Sequence, residues 1–257
     1  MMILKNSWDS INRFPEYVGS CLHPWRRESI KRIRAFRNIH AGKRCFIIGN
    51  GPSLRNTDIK KLENEYTFGM NRIFLMYPEL GFKTSFLVSV NDLVIEQSKD
   101  EIRNVDIPTF VSWRARRWLD PQKNLYYLFT SYTGKKFAKN AAGRLWEGAT
   151  VTYTCLQLAY YMGFKKAILI GVDHNFSTKG EPNTTIESAG DDLNHFHPAY
   201  FGKGFRWQLP DLGTSEIGYR LARETFKKDG REIVDATVGG KLTVFTKVDY
   251  LSLFDEK

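Results

Sequence analysis

Four polar residues close short apolar runs in this 257-residue chain. Asn50 follows CFII, Asn71 follows TFGM, Asn91 follows FLVSV, and Asp173 follows AILI. Side-chain amides donate to phosphate oxygens and accept from hydroxyls, whereas a carboxylate only accepts. One such residue after a strand is an ordinary turn. Four, on parallel strands, face a single ligand beyond the carboxyl ends of the sheet. The first lies in a glycine turn, Gly49-Asn50-Gly51-Pro52-Ser53. Glycines allow close backbone approach, Pro52 suits the first turn of a helix, and Ser53 can bond free N–H groups there. A strand, a glycine turn and a helix start together place backbone donors where an anion can sit. Neither the Walker pattern nor the full dinucleotide fingerprint is present.

Three histidines, His174, His195 and His197, lie beside or after the last of these runs. A histidine titrating near neutrality can deprotonate a hydroxyl. Asp173, Asp191 and Asp192 offer a second chemistry, Mg²⁺ held against a nucleotide triphosphate. Arg114, Arg116, Arg117 and Arg144 are candidate phosphate clamps. With Trp113 and Trp118, the first three also read as a basic aromatic patch. No nucleic-acid fold signature accompanies it, so nucleic acid is not the expected partner.

The elements that must position these residues read as a doubly wound, mostly parallel, Rossmann-like α/β fold. Strands are expected at 43–48, 66–70, 85–90, 107–113, 165–170 and 232–234. A buried helix is expected over 150–162, with Gly148 before it and Gly163 ending it. An amphipathic helix is expected over 215–228. Residues 114–145 carry no clear period. The segment 176–211 is rich in Gly, Pro, Asn and Asp, and so long a loop reads as a functional lid. Residues 1–40 read as a helical, basic extension before a single domain spanning 41–257. Within that extension, 25–37 repeats apolar residues at helical spacing and is strongly basic on its other side.

The net charge of +10 favours anionic partners, either nucleotides or an anionic membrane surface. The hydrophobic fraction of 42% suffices for a core, and no run of about 18 apolar residues suggests a transmembrane helix. No secretory signal is apparent. Cys45 and Cys155 lie in apolar runs and read as reduced core residues, and no CxxC or zinc spacing occurs. A cytoplasmic protein is expected, peripheral at the inner face of the membrane if the basic extension binds there.

Taken in order, Gly49–Leu54, Phe68–Arg72, Val90–Asp92, Glu147–Thr150 and Ile170–Asp173 resemble the motifs of one superfamily. It holds bacterial sialyltransferases that use CMP-sugar donors, archaeal 6-hydroxymethylpterin diphosphokinases, and the MptE-like proteins often found with surface-polysaccharide genes. The chain as a whole most resembles the MptE-like proteins. The likeness covers residues 43–175 well and 213–245 loosely. The sialyltransferase likeness implies that Asn50 and Gly51 approach the donor phosphate or its sugar. It implies that Asn71 and Asn91 hold the ribose–phosphate side, that Gly148, Ala149 and Thr150 present backbone N–H groups, and that Asp173 accepts from hydroxyls. Gly49 and Ser53 complete the expected nucleotide-binding set.

This sequence departs from that pattern at the base. The sialyltransferases carry a histidine just before the helix that corresponds to 215–228, and residues 202–215 contain none. The expected base is therefore His195, flanked by Asn194 and Phe196, with His197 second. Tyr200 and Arg144 are expected to stabilise the departing phosphate. The expected function is transfer of a sugar, of nonulosonic type, from a CMP-linked donor to a surface-glycan or lipid-linked acceptor. The alternative is a Mg-ATP diphosphokinase acting on a pterin-like or other small alcohol. A nucleotide-binding or membrane-associated scaffold is the non-enzymatic reading. No metal is expected in the sugar-transfer case.

Overall fold

The computed structural model describes residues 14–132, 135–178 and 180–255. The chain enters through two helices, α1 (Phe14–Leu22) and α2 (Pro24–Arg34). His23 caps α2, its Nδ1 accepting from the Trp25 N–H at 3.3 Å, and Pro24 fills the first turn. β1 (Arg44–Ile48), β2 (Thr67–Met70), α3 (Tyr77–Leu80), β3 (Phe86–Ser89), α4 (Asp92–Gln97), α5 (Lys99–Asn104) and β4 (Thr109–Ser112) follow. Next come β5 (Leu125–Ser131), β6 (Arg144–Trp146), α6 (Val151–Tyr161) and β7 (Lys166–Ile170). The chain ends with β8 (Thr185–Glu187), β9 (Arg206–Gln208), α7 (Leu212–Lys228), β10 (Glu232–Asp235) and β11 (Thr246–Lys247).

Nine strands form one sheet in the order β11-β10-β7-β1-β2-β3-β4-β5-β6, and every pairing in it is parallel. This is the expected doubly wound arrangement. Its reason is visible in β1, where Cys45 and Ile47 join the core on one face and Phe46 and Ile48 that on the other. Strands buried on both faces read as unbroken apolar runs. The chain leaves β1 toward β2 on one side, while β7 lies on the other, so the sheet order reverses between β1 and β7. Ile48 pairs with Ile170 there, and the two strands end together.

Helix α6 is covered on all sides; every residue from Thr152 to Tyr161 is buried. Gly163 ends it at φ +92, packed within 2.9 Å of Asn38 by the position its Cβ would take. α2 lies over β5, where the Ser29 hydroxyl accepts from the Tyr127 N–H at 3.1 Å. Arg32 reaches the carbonyls of Gln122, Lys123 and Leu125. Among the described residues no helix is long and apolar enough to cross a membrane.

Several local readings need correction. Residues 114–145, which showed no period, contain β5 and β6. The second amphipathic helix starts at Leu212 rather than 215, because Asp211 caps it through the Thr214 N–H at 2.9 Å. The segment 176–211 is not without structure: Ile186 pairs with Trp207 in the antiparallel β8–β9 pair. Arg26, which the helical period placed on the basic face, is fully buried and donates to the carbonyls of Ala142 and Gly143 at 2.9 and 3.0 Å.

Gly49 and Gly51 owe their identity to the adjacent chain. A Cβ on Gly49 would stand 2.2 Å from the Gly171 carbonyl oxygen, a backbone atom that cannot swing away. Gly190 has open space at the same test. Gly49→Ala should therefore cost at least about 1–3 kcal/mol, the usual range for overpacking, and Gly190→Ala less than about 0.5 kcal/mol. Urea denaturation of the two variants checks the contrast.

Candidate functional site

A cavity of about 260 Å³ opens at the carboxyl ends of β1, β2, β3 and β7. Asn50, Asn71, Asn91 and Asp173 all line it. The strand ends thus bring together four residues spread over more than a hundred positions of sequence. No lysine or arginine lines the cavity among the described residues, whereas Glu147, Asp173 and Asp211 do. One wall is rich in amides; the lid side carries Phe176, Phe201, Trp207, Leu209 and Pro210.

The loops after β1 and β7 are clasped to each other. Asp173 accepts from the Ser53 N–H at 3.1 Å and from its hydroxyl at 2.7 Å. A Cβ on Gly51 would lie 1.8 Å from Asp173 Oδ2. Burial raises the Asp173 pKa, and the two Ser53 bonds oppose that rise. Ser53, expected in the nucleotide-binding set, is taken up by this contact. Ser53 does not line the cavity, and the carboxylate of Asp173 already occupies the anion position at the start of its short helix.

The other amides are partly committed as well. Asn91 Oδ1 caps α4, accepting from the Leu93 and Val94 N–H groups. Asn71 Oδ1 accepts from the Ser89 hydroxyl at 3.1 Å. Asn50 Nδ2 donates to the Met70 carbonyl at 3.2 Å, and its buried Oδ1 has no partner. An orphaned buried acceptor costs about 1–3 kcal/mol, and a ligand donor would remove that cost.

Ala149, Thr150, Val151 and Thr152 bring the first turn of α6 to the cavity, and no side chain caps this helix. The first N–H groups of an α-helix lack intrahelical partners and favour an anion. Gly148 is adjacent at φ +54, its position packed against the Tyr153 ring. Backbone strain gathers here. Asn71, Ala149, His174 and Asn183, at φ +49, +57, +55 and +65, all line the cavity. Such conformations in non-glycine residues persist only where surrounding structure enforces them.

His195 lines the cavity, and its Nδ1 lies 2.6 Å from Oδ2 of Asp192. Asp192 is buried and also accepts from the Asn194 and Phe201 N–H groups. The carboxylate accepts a hydrogen bond from Nδ1–H, which leaves Nε2 as the acceptor nitrogen. The ring stacks on Tyr200 at 4.0 Å between centroids. Tyr200 itself is buried, and burial raises its pKa, so its hydroxyl stays protonated beside Asn71. Arg55 holds the carbonyls of Phe196 and His195, Arg72 those of Ala199 and Tyr200, and the Phe196 N–H donates to the Asn50 carbonyl. These bonds fasten the segment over the strand ends.

Four sequence expectations fail on position. His197 does not line the cavity; its Nδ1 accepts from the Ala199 N–H. Arg144 lies outside too, with its guanidinium over the rings of Tyr17, Phe129 and Trp146. Arg114 is no phosphate clamp. Its guanidinium is buried and bonds both oxygens of Asp92, Thr130, the Val90 carbonyl, Tyr132 and Glu147. The Asp173, Asp191 and Asp192 set does not form a metal site either. Asp192 is spent on His195, Asp191 is exposed, and no three ligating groups converge among the described residues.

Two further cavity residues lie outside the expected site set. His174 turns the chain after β7 and bonds Glu216 of α7, Nε2 to Oε1 at 3.1 Å. Glu147, quoted only as part of a motif, is a buried carboxylate facing the site. Burial raises its pKa against the opposing pull of Arg114. For Arg114, burial alone would lower the pKa, but Glu147, Tyr132 and Asp92 outweigh it and hold the guanidinium charged. The sequence signal for Glu147 is a glutamate beside Gly148-Ala149-Thr150; nothing local flags Arg114 as its partner.

Residues 23–179 match the model of a protein family described as 6-hydroxymethylpterin diphosphokinase MptE-like. The matched stretch holds all four strand-end residues, and the His195–Asp192 pair lies beyond it. No curated protein matches the chain. Among solved structures, the chain is similar to one described as the MAf glycosyltransferase from Magnetospirillum magneticum AMB-1. The identity is 14% and the TM-score 0.52, over 90% of this chain and 39% of that one. The chain thus spans well under half the length of that structure, and the likeness is one of fold.

Removing Arg114 should strand the buried Glu147. Arg114→Met is expected to lose about 3–5 kcal/mol, the usual cost of breaking a buried ion pair. Glu147 has a folded pKa raised above its unfolded value, so its contribution is full below the unfolded value and lost as pH rises through the folded one. Without Arg114 the folded value rises further. The variant should therefore regain stability relative to wild type on acidification from pH 7 toward pH 5. Denaturant melts across that range check the sign.

Proposed function

The chain belongs to the MptE-like family, and on that premise we propose that it is a nucleotide-dependent transferase acting on a hydroxyl. The observation that carries this reading is the His195–Asp192 pair, a buried carboxylate at 2.6 Å orienting a cavity-lining imidazole. Asp192 holds the ring in the tautomer whose Nε2 can take a proton, as in other carboxylate–histidine pairs. The uncapped start of α6 supplies the anion seat for a donor phosphate.

The family description favours diphosphokinase chemistry. The acceptor oxygen would attack the β-phosphorus of a nucleoside triphosphate, its proton passing to His195 Nε2. The new O–P bond forms as the α,β-bridging bond breaks, and the nucleoside monophosphate leaves. A triphosphate entering a cavity lined, among the described residues, by three carboxylates and no lysine or arginine needs its charge neutralised. Mg²⁺ supplies that neutralisation, with one or two carboxylates plus phosphates and water as its usual ligands. The hard oxygen donors here fit such an ion. Asp211, which commits Oδ1 to the Thr214 N–H, and Asp173 would hold it.

A second reading, transfer of a nonulosonic-type sugar from a CMP-linked donor, rests on the same charge pattern. One helix start suits one phosphodiester without metal, and the wall of Asn50, Asn71, Asn91, Asn175, Asn183 and Asn194 suits a polyhydroxylated sugar. Its acceptor would be a glycan or a lipid-linked saccharide. The glycosyltransferase name of the structurally similar chain supports this reading as well.

Thermal shifts with CMP, CDP, UDP, GDP and ATP, each with and without Mg²⁺, separate the two. Stabilisation by ATP only with Mg²⁺ supports the diphosphokinase, and stabilisation by CMP without metal supports sugar transfer. No response to any nucleotide overturns both and leaves a scaffold. With the donor known, His195→Ala should lower turnover by about 10²–10⁴-fold while donor affinity holds, because the base touches the acceptor. Full activity in that variant would remove His195 from the chemistry.

A further inference from the structure

Among the described residues no lysine or arginine lines the cavity, and part of the excess positive charge is arranged elsewhere in a form that invites a partner. Arg27, Lys31 and Arg34 are exposed and recur on α2 at spacings of four and three residues, which puts them on one helix face. They line a concavity together with Cys21 of α1, and Glu28 is the one carboxylate beside them. None of the three forms an ion pair among the described residues. Exposed arginines on other elements do, as Arg103 with Asp100, Arg206 with Glu96, and Arg220 with Glu216.

Apolar side chains protrude next to this stripe. Val18 is 41% exposed and Leu22 is 71% exposed, again four residues apart on one face of α1. α1 is bonded to the start of α2 through the His23 N–H, which donates to the Gly19 and Ser20 carbonyls. Cys21 and Arg27 share the concavity, so the apolar stripe adjoins the cationic one. Unpaired cations beside protruding aliphatic side chains match the two components of an anionic bilayer surface, headgroup phosphate and acyl chain. A nucleic-acid backbone would satisfy the cations and leave Val18 and Leu22 without a role.

We propose that the α1–α2 face, through Arg27, Lys31, Arg34, Val18 and Leu22, docks the protein on an anionic lipid bilayer. The face runs along β5, with α1 at its carboxyl end and Arg32, next to Lys31, on the Gln122 and Leu125 carbonyls at its amino end. Tyr17 of α1 packs on Phe129, centroid to centroid 5.0 Å, close to the carboxyl end of β5, and Tyr132 just beyond that end lines the cavity. The inference stands whichever transfer the cavity performs.

The test is co-sedimentation of the full chain with vesicles of phosphatidylcholine alone and of phosphatidylcholine mixed with phosphatidylserine. Wild type should pellet with the mixed vesicles, less so in high salt, and remain soluble with neutral ones. Arg27→Glu/Lys31→Glu/Arg34→Glu should weaken partitioning by at least about 100-fold. Val18→Ser/Leu22→Ser should weaken it while leaving its salt dependence in place. Thermal melts and the nucleotide shift, which none of these residues touches, report that each variant is folded. No pelleting of wild type, equal pelleting with neutral vesicles, or an unaffected triple variant would overturn the proposal. So would binding of duplex DNA that matches the vesicle affinity and ignores Val18→Ser/Leu22→Ser.

Discussion

Everything at the site depends on how closely the loops after β1 and β7 pass each other. The sheet order reverses there, so two chains leave adjacent strands in opposite directions and open a crevice. Gly49, Gly51 and Gly171 let the backbones meet: the Gly49 N–H reaches the Ile170 carbonyl at 2.7 Å and the Gly51 N–H the Gly171 carbonyl at 2.9 Å. Asp173 then locks the crossing through Ser53. The glycines therefore serve chain packing first. The uncapped helix start at the cavity is that of α6, whose first turn enters it with no side-chain cap.

A second constraint is electrostatic. The chain carries +10 overall, yet three carboxylates and no described cation line its cavity. The arginines near the site are spent on structure. Arg114 neutralises Asp92 and Glu147 beneath the floor, and Arg55 and Arg72 fasten the covering segment by its carbonyls. Burying Arg114 costs solvation, which is offset by its two carboxylates and its hydrogen bonds to Thr130, Tyr132 and Val90. A phosphate donor must then rely on backbone dipoles, on a metal ion, or on both. The free cations lie on α2 instead, on the surface.

The covering segment shows how a loop with little period becomes a defined part of a site. Its own aromatic residues form a small core, with His195 on Tyr200 at 4.0 Å and Phe201 stacked on Trp207 at 5.4 Å. That core buries Asp192, and the buried carboxylate fixes the imidazole. Rigidity in this loop comes from side chains rather than from a backbone ladder, and the β8–β9 pair adds only three residues on each side.

The sequence by itself determined the strands that are buried on both faces, and with them the points where the chain turns. β1, β2, β3 and β7 read as apolar runs because solvent reaches neither face, and Asn50, Asn71, Asn91 and Asp173 mark their ends. It also determined the helix at α6, bounded by Gly148 and Gly163, and singled out His195 through its neighbours. It did not expose β5 and β6, whose flanks are rich in Arg, Lys and aromatic residues, although each pairs with a strand next to it in the chain. Only the tertiary structure decided which charges are free. Arg114 and Arg144 have the residue type of a phosphate clamp, but partners or aromatic neighbours far along the chain, Glu147 and Asp92 for one, Tyr17 and Phe129 for the other, consume them. Likewise His197, two residues from His195, falls outside the cavity, and Arg26, one residue from the exposed Arg27, is buried. Periodicity reports the average side of an element, whereas a hydrogen bond or an ion pair depends on what the rest of the fold brings within about 3 Å.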